Sequence, residues 1–210
     1  MKKLIIILIF TSTITNAQNI MLEYGVATSS FIFKDDSGEK MNSLLSKDLD
    51  YGSLGYEFKG DKVKLNTSIS QNNYGAKSSE HNYSWDLSYI GVNIGGIYYL
   101  SKKEKSLKKI QPTLGAGISA QFLTDGTQMI DNEVFDLKNM QDGKFNNLFM
   151  ISAGVGVLYK LNNNTLLHLR SSLTRGLNNL ETDGQSLHIM TYNTSISLMI
   201  NLQKNKKTKN

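Results

Sequence analysis

The chain has 210 residues, 23 Lys and Arg against 18 Asp and Glu, a formal charge of +5, no cysteine, one proline and 17 glycines. The missing cysteine excludes a disulfide scaffold, and the length suits one domain. The basic excess does not indicate nucleic acid, because the lysines form no patch interleaved with aromatics.

The chain opens with "MKKLIIILIFTSTITNAQ". Lys2 and Lys3, the apolar run Leu4 to Phe10 and the Asn16-Ala17-Gln18 junction have the anatomy of a secretory signal peptide, predicted over residues 1–17. The run is far short of the ~20 residues a membrane-spanning helix needs. Removing it takes both lysines and leaves a formal charge of +3. A barrel domain is predicted over 18–203 and a short basic periplasmic tail over 204–210.

No helical periodicity follows; a period of two recurs instead and predicts strands. Eight are expected, at 20–33, 49–58, 62–71, 87–100, 110–122, 148–161, 166–176 and 187–202. In the first, Leu22, Tyr24 and Val26 oppose Glu23, Gly25 and Ala27. In the fifth, Leu114, Ala116, Ile118, Ala120 and Phe122 oppose Thr113, Gly115, Gly117, Ser119 and Gln121. In the last, His188, Met190, Tyr192, Thr194, Ile196, Leu198, Ile200 and Leu202 oppose Thr191, Asn193, Ser195, Ser197 and Asn201. Most exceed the about 9–11 residues that cross a bilayer at a tilt.

The connections alternate in length. "KDDSGEKMNSLLSKD", "NNYGAKSSEHNYSWD", "TDGTQMIDNEVFDLKNMQDGKFNN" and "LNNLETDGQS" are long; "KGD", "SKKEKSLKK" and "NNN" are shorter. The long third loop is acidic, with Asp125, Asp131, Glu133, Asp136 and Asp142, and the first carries Asp35, Asp36, Glu39, Asp48 and Asp50. The short turn at 101–109 and the tail are lysine-rich. Short turns on one side and long loops on the other mark an up-and-down transmembrane barrel.

The apolar registers carry no charge at mid-strand, while Glu23, Glu57, Lys64, Lys160, His168 and Arg170 fall in the opposite register. A Lys or Arg facing lipid there would cost roughly 2–4 kcal/mol. The expected fold is therefore all-β, an eight-stranded antiparallel up-and-down transmembrane β-barrel with its apolar register outward and both termini in the periplasm. A lipocalin-like soluble barrel is the rival, but its ligand cavity needs a largely apolar interior.

"KKIQPTLGAGISAQFL", "LSYIGVNIGGIYYL" and "SAGVGVLYKLNNNTLLHLRSSLTRGLNNL" resemble strands and a hairpin of the PorT-like outer membrane β-barrel domain family. The likeness lies in glycine, proline and alternating apolar positions across nearly the whole mature chain, with Ile90-Gly91 where that family often has Ile-Pro. It implies an eight-stranded barrel in the outer membrane of Bacteroidetes-type bacteria. One family member is implicated in secretion and gliding machinery. The last strand ends in Leu202 and a lysine tail where many outer-membrane proteins end in an aromatic residue.

Chemistry-bearing motifs are sparse. His81, His168 and His188 share no metal-ligand spacing, "DGTQMIDNEVFD" lacks the alternating acidic pattern of a calcium loop, and Gly-x-Ser-x-Gly does not occur. No catalytic residue, metal or cofactor is expected. A serine hydrolase would need His168 beside a serine such as Ser172 or Ser195. Glu23, Glu57, Lys64, Lys160, His168 and Arg170 are the candidate lumen charge network. Two arrangements remain open: a closed core of opposed charges, or charges near the water-filled ends without mutual contact. The expected role is structural, adhesive or interaction-based, through the long external loops. The alternatives are a secretion or transport accessory and a lipid-modifying enzyme. Expected partners are outer-membrane lipid, lipopolysaccharide and envelope proteins; the oligomeric state is undefined.

Overall fold

The structure, a computed structural model, describes residues 17–34, 37–40, 43–58, 60–79, 82–100, 109–139, 144–180 and 186–202. The predicted signal peptide up to residue 16, His81, most of the 101–109 turn and the tail 204–210 lie outside the described residues.

Eight strands close a ring: β1 (Ala17–Lys34), β2 (Leu44–Phe58), β3 (Val63–Ser78), β4 (Tyr83–Tyr99), β5 (Ile110–Ile130), β7 (Asn147–Lys160), β8 (Thr165–Gly176) and β9 (Ser186–Asn201). A short β6 (Glu133–Asp136) pairs with the end of β5. Every pairing is antiparallel between ring neighbours, and β9 against β1 completes the circle from Asn19↔Asn201 to Lys34↔Ser186. Following partners from Tyr159 through Leu167, Leu198, Leu22, Leu54, Ile69, Val92 and Ala120 returns to β7 at Phe149, ten residues from the start. That stagger with eight strands corresponds to a tilt of roughly 40° and an interior that side chains can fill.

The exterior matches the predicted register. Leu22, Leu54, Leu65, Ile94, Ile118, Val155 and Leu169 all point outward, and Leu65 and Ile118 are 60% exposed. So large an apolar belt around a closed ring has lipid as its solvent.

The expected strand limits require correction at the long-loop end. There β2 begins at Leu44, β3 runs to Ser78, β4 begins at Tyr83 and β5 runs to Ile130, so much of the sequence read as loop is ladder. The sheet thus has nine strands, since β6 also emerges from the acidic loop. The polarity of the two registers reverses in these extensions. Outward Thr28 donates to Asp48 at 2.7 Å and Ser30 bonds Ser46 at 2.7 Å, while Phe31, Tyr74, Ala76, Trp85, Leu87, Tyr89, Leu187 and Ile189 are buried inside. Beyond the lipid the surrounding solvent is water, so apolar residues turn inward as in a soluble barrel. Leu137, Phe145 and Leu180 join this cluster from the connections, and Tyr89 Oη donates to the Phe145 carbonyl at 2.8 Å.

Ile118→Arg, within the belt, is expected to destabilise the barrel by about 2–4 kcal/mol. Thr127→Arg, exposed on the β5 extension, should stay within about 0.5 kcal/mol. Urea unfolding of protein refolded in lipid vesicles, with the folded form followed by heat-modifiable gel migration, measures both.

Candidate functional site

The interior is layered along the barrel axis. At the short-turn end Met21, Ile97, Tyr99, Leu158, Leu166 and Met199 form an apolar cluster. Into it projects Glu57, fully buried, and each carboxylate oxygen is engaged. Oε1 accepts from Asn19 Nδ2 at 2.6 Å and from Lys64 Nζ at 3.2 Å, and Oε2 accepts from Tyr99 Oη at 2.7 Å. The Lys64 ammonium also lies 4.7 Å from the Tyr99 ring centroid, a cation–π geometry. A buried carboxylate is tolerated when opposite charge and several donors replace its water.

The second charged group surrounds Glu23. Its Oε1 accepts from Arg170 Nη2 at 3.0 Å, Ser195 Oγ at 2.5 Å and Tyr51 Oη at 3.1 Å, and Oε2 accepts from Ser53 Oγ at 3.4 Å. Local sequence makes room for this. A Cβ at Gly25 would stand 2.7 Å from Tyr51 Cε1 and 2.8 Å from Ser195 Cβ, so glycine there lets both reach the carboxylate. Gly156 serves the adjoining contact, because a Cβ would lie 2.5 Å from His168 Nε2. That nitrogen is 2.9 Å from Thr113 Oγ1.

The six candidate residues are therefore divided. Glu23 meets Arg170 and Glu57 meets Lys64, as two separate pairs. His168 bonds Thr113, and Ser195 is committed to Glu23, so these two do not form a nucleophile–base pair. Lys160 is half-buried in the inward register near the short-turn end and makes no ion pair with another described residue. Tyr51, Tyr99 and Asn19 complete the two groups but are absent from the predicted set. Their parity was the available signal: Tyr51 shares its register with Glu57, and Tyr99 with Asn93 and Ile97.

Glu23, Arg170, Tyr51 and Ser53 line a cavity of about 110 Å³. One side presents amides and hydroxyls: Asn93 Nδ2 donates to Ser68 Oγ and Ser70 Oγ, each at 3.0 Å, and Asn72 Nδ2 donates to Ser70 Oγ at 2.7 Å. The other side, Gly95, Gly115, Gly117 and Gly154, has little side chain to fill the space. Toward the long-loop end the polar layer stops at Tyr74, whose Oη donates to Gln121 Oε1 at 2.9 Å. Beyond it sits the large apolar cluster of Trp85, Leu87, Tyr89, Leu148 and Ile189. The lumen is thus polar as far as Tyr74 and apolar beyond it. Among the described residues no group of three or more His, Asp or Glu has metal-holding geometry.

No protein-family model and no curated protein sequence matches the chain. Solved structures do resemble it. Neisserial surface protein A aligns with a TM-score of 0.50 at 11% identity, covering 87% of this chain and 97% of that one. The outer membrane protein OprG from Pseudomonas aeruginosa gives 0.48 at 14% identity, covering 89% and 97%. Outer Membrane Protein W from E. coli gives 0.46 at 13% identity, covering 89% and 99%. The likeness to the Neisserial protein is one of fold, that of the small outer-membrane barrel. That fold, with this chain's own apolar belt, places it in the cell outer membrane.

Arg170→Ala leaves the buried Glu23 carboxylate without its cation, and a loss of about 3 kcal/mol is expected. Glu23→Gln combined with Arg170→Met should recover most of it, since no uncompensated charge then remains. Equilibrium urea unfolding of the two variants against the parent measures the difference.

Proposed function

We propose that the chain is a non-conducting outer-membrane barrel with a structural, adhesive or interaction role, its long-loop end facing outward. The observation that carries this reading is the filled interior. Among the described residues, apolar clusters occupy both ends of the lumen, the Glu57–Lys64 pair lies at one of them, and the Glu23–Arg170 pair lines the cavity between. Strands that continue past the belt, with polar outer faces, supply a rigid platform on that side. Membrane lipid and lipopolysaccharide surround the belt, and envelope proteins are the class of partner such a platform suits. The external orientation follows from the segregation of long and short connections.

A second reading is an accessory of a secretion or transport machinery. It rests on the PorT-like pattern of residues 108–123 and 152–180, whose glycines line the cavity wall at Gly115, Gly117 and Gly154. Co-purification with a multi-protein envelope complex supports this reading over free-standing adhesion. A lipid-modifying enzyme finds less support, because His168 hydrogen-bonds a threonine.

Planar-bilayer recording of the refolded chain is expected to show no stable conductance above the bare membrane. A steady, large conductance overturns the non-conducting reading.

A further inference from the structure

Strand β6 is paired on one side only. It bonds β5 through Thr127↔Asp136 to Ile130↔Glu133, and no other described strand meets its second edge. The strand is held firmly nevertheless. Asp131 and Asn132 have φ of 49° and 71°, the left-handed pair of a two-residue hairpin turn. Asp131 N donates to the Asn82 carbonyl at 3.2 Å, and Asn82 Nδ2 donates to Asn132 Oδ1 at 2.5 Å, tying the turn to the start of β4. At the other end Asp136 accepts from Lys138 N at 2.9 Å and Asn139 Nδ2 at 2.6 Å. An edge already ordered loses little entropy when a partner strand pairs with it.

The chemistry of this edge is specific. Leu137 N donates to the Gly126 carbonyl at 2.9 Å, so alternation along the ladder turns the N–H and C=O of Val134 and Asp136 to the free side. Val134 is 68% exposed although it lies well past the lipid belt, which ends on β5 at Phe122. Asp125, Asp131, Glu133 and Asp136 stand exposed around it. The one cation among residues 124–139 is Lys138, whose Nζ donates to the Thr124 carbonyl at 2.8 Å.

We propose that the free edge of β6 docks an extended, basic polypeptide segment of another protein by strand addition. Backbone bonds form to Val134 and Asp136, an apolar side chain covers Val134, and lysines or arginines face the four carboxylates. A second copy of β6 is the poorer occupant, because it would bring the same carboxylates, Glu133 and Asp136, to an edge already rich in acid. The proposal rests on the outward orientation given above.

The test uses the full chain refolded in phosphatidylcholine nanodiscs and a fluorescent seven-residue peptide of alternating lysine and valine. Saturable binding that weakens with added salt is expected. A peptide with glutamate for lysine, and one with proline for its central valine, should each bind about tenfold more weakly. Val134→Pro in the barrel should cause a similar loss while heat-modifiable migration stays normal, because that N–H takes no part in the hairpin. Equal binding by the proline peptide or by the Val134→Pro barrel reduces the contact to charge alone and overturns strand addition, as does failure of the lysine peptide to bind. Val134→Cys, the sole cysteine in the chain, separates the two readings. Labelling by a membrane-impermeant maleimide on intact cells upholds the outward orientation even if no peptide binds, and absence of labelling overturns both.

Discussion

Closure of the sheet, β9 against β1, is the constraint on which everything else depends. Within a bilayer the backbone has no water to bond, so each strand must satisfy both edges with protein. The pairing from Asn19↔Asn201 to Lys34↔Ser186 removes the last two edges of the membrane portion. Once the ring is closed, alternation assigns every side chain to lipid or lumen, and the composition of each register follows from its solvent.

The lumen shows how eight strands use a narrow interior. Glu57 and Glu23 are not spread among the available cations but each gathers one cation and two or three neutral donors. Burying two separate satisfied pairs avoids an unpaired charge at either level. Glycines at 25 and 156 matter as much as the charges, because a methyl group at either would occupy the place of a tyrosine ring or an imidazole nitrogen. The cavity has a wall of Gly95, Gly115, Gly117 and Gly154, which bring no side chain of their own into it.

Past the lipid the same wall becomes a water-soluble sheet. Outward Asp48 and Ser46 replace the leucines of the belt, and inward Trp85, Leu87, Tyr89 and Ile189 replace the serines and asparagines of the lumen. The apolar cluster there packs Leu137 beneath the β5–β6 hairpin, whose second edge pairs with no other described strand and lies where water can satisfy its backbone.

The eight strands of the ring, their antiparallel order, the outward face of the belt and the inward placement of Glu23, Glu57, Lys64, Lys160, His168 and Arg170 were legible in the sequence, while β6 was not. They depend on a period of two, which local order records directly. Strand ends were less legible, because Tyr74, Ala76 and Trp85 continue the alternation with reversed polarity and so looked like loop. Which lumen charges meet was decided by the tertiary structure alone. The ten-residue stagger around the ring brings Arg170 of β8 to Glu23 of β1 and leaves Lys160 apart, and register between distant strands is a property of the closed barrel. Alternation is written residue by residue; shear exists only after the last strand has paired with the first.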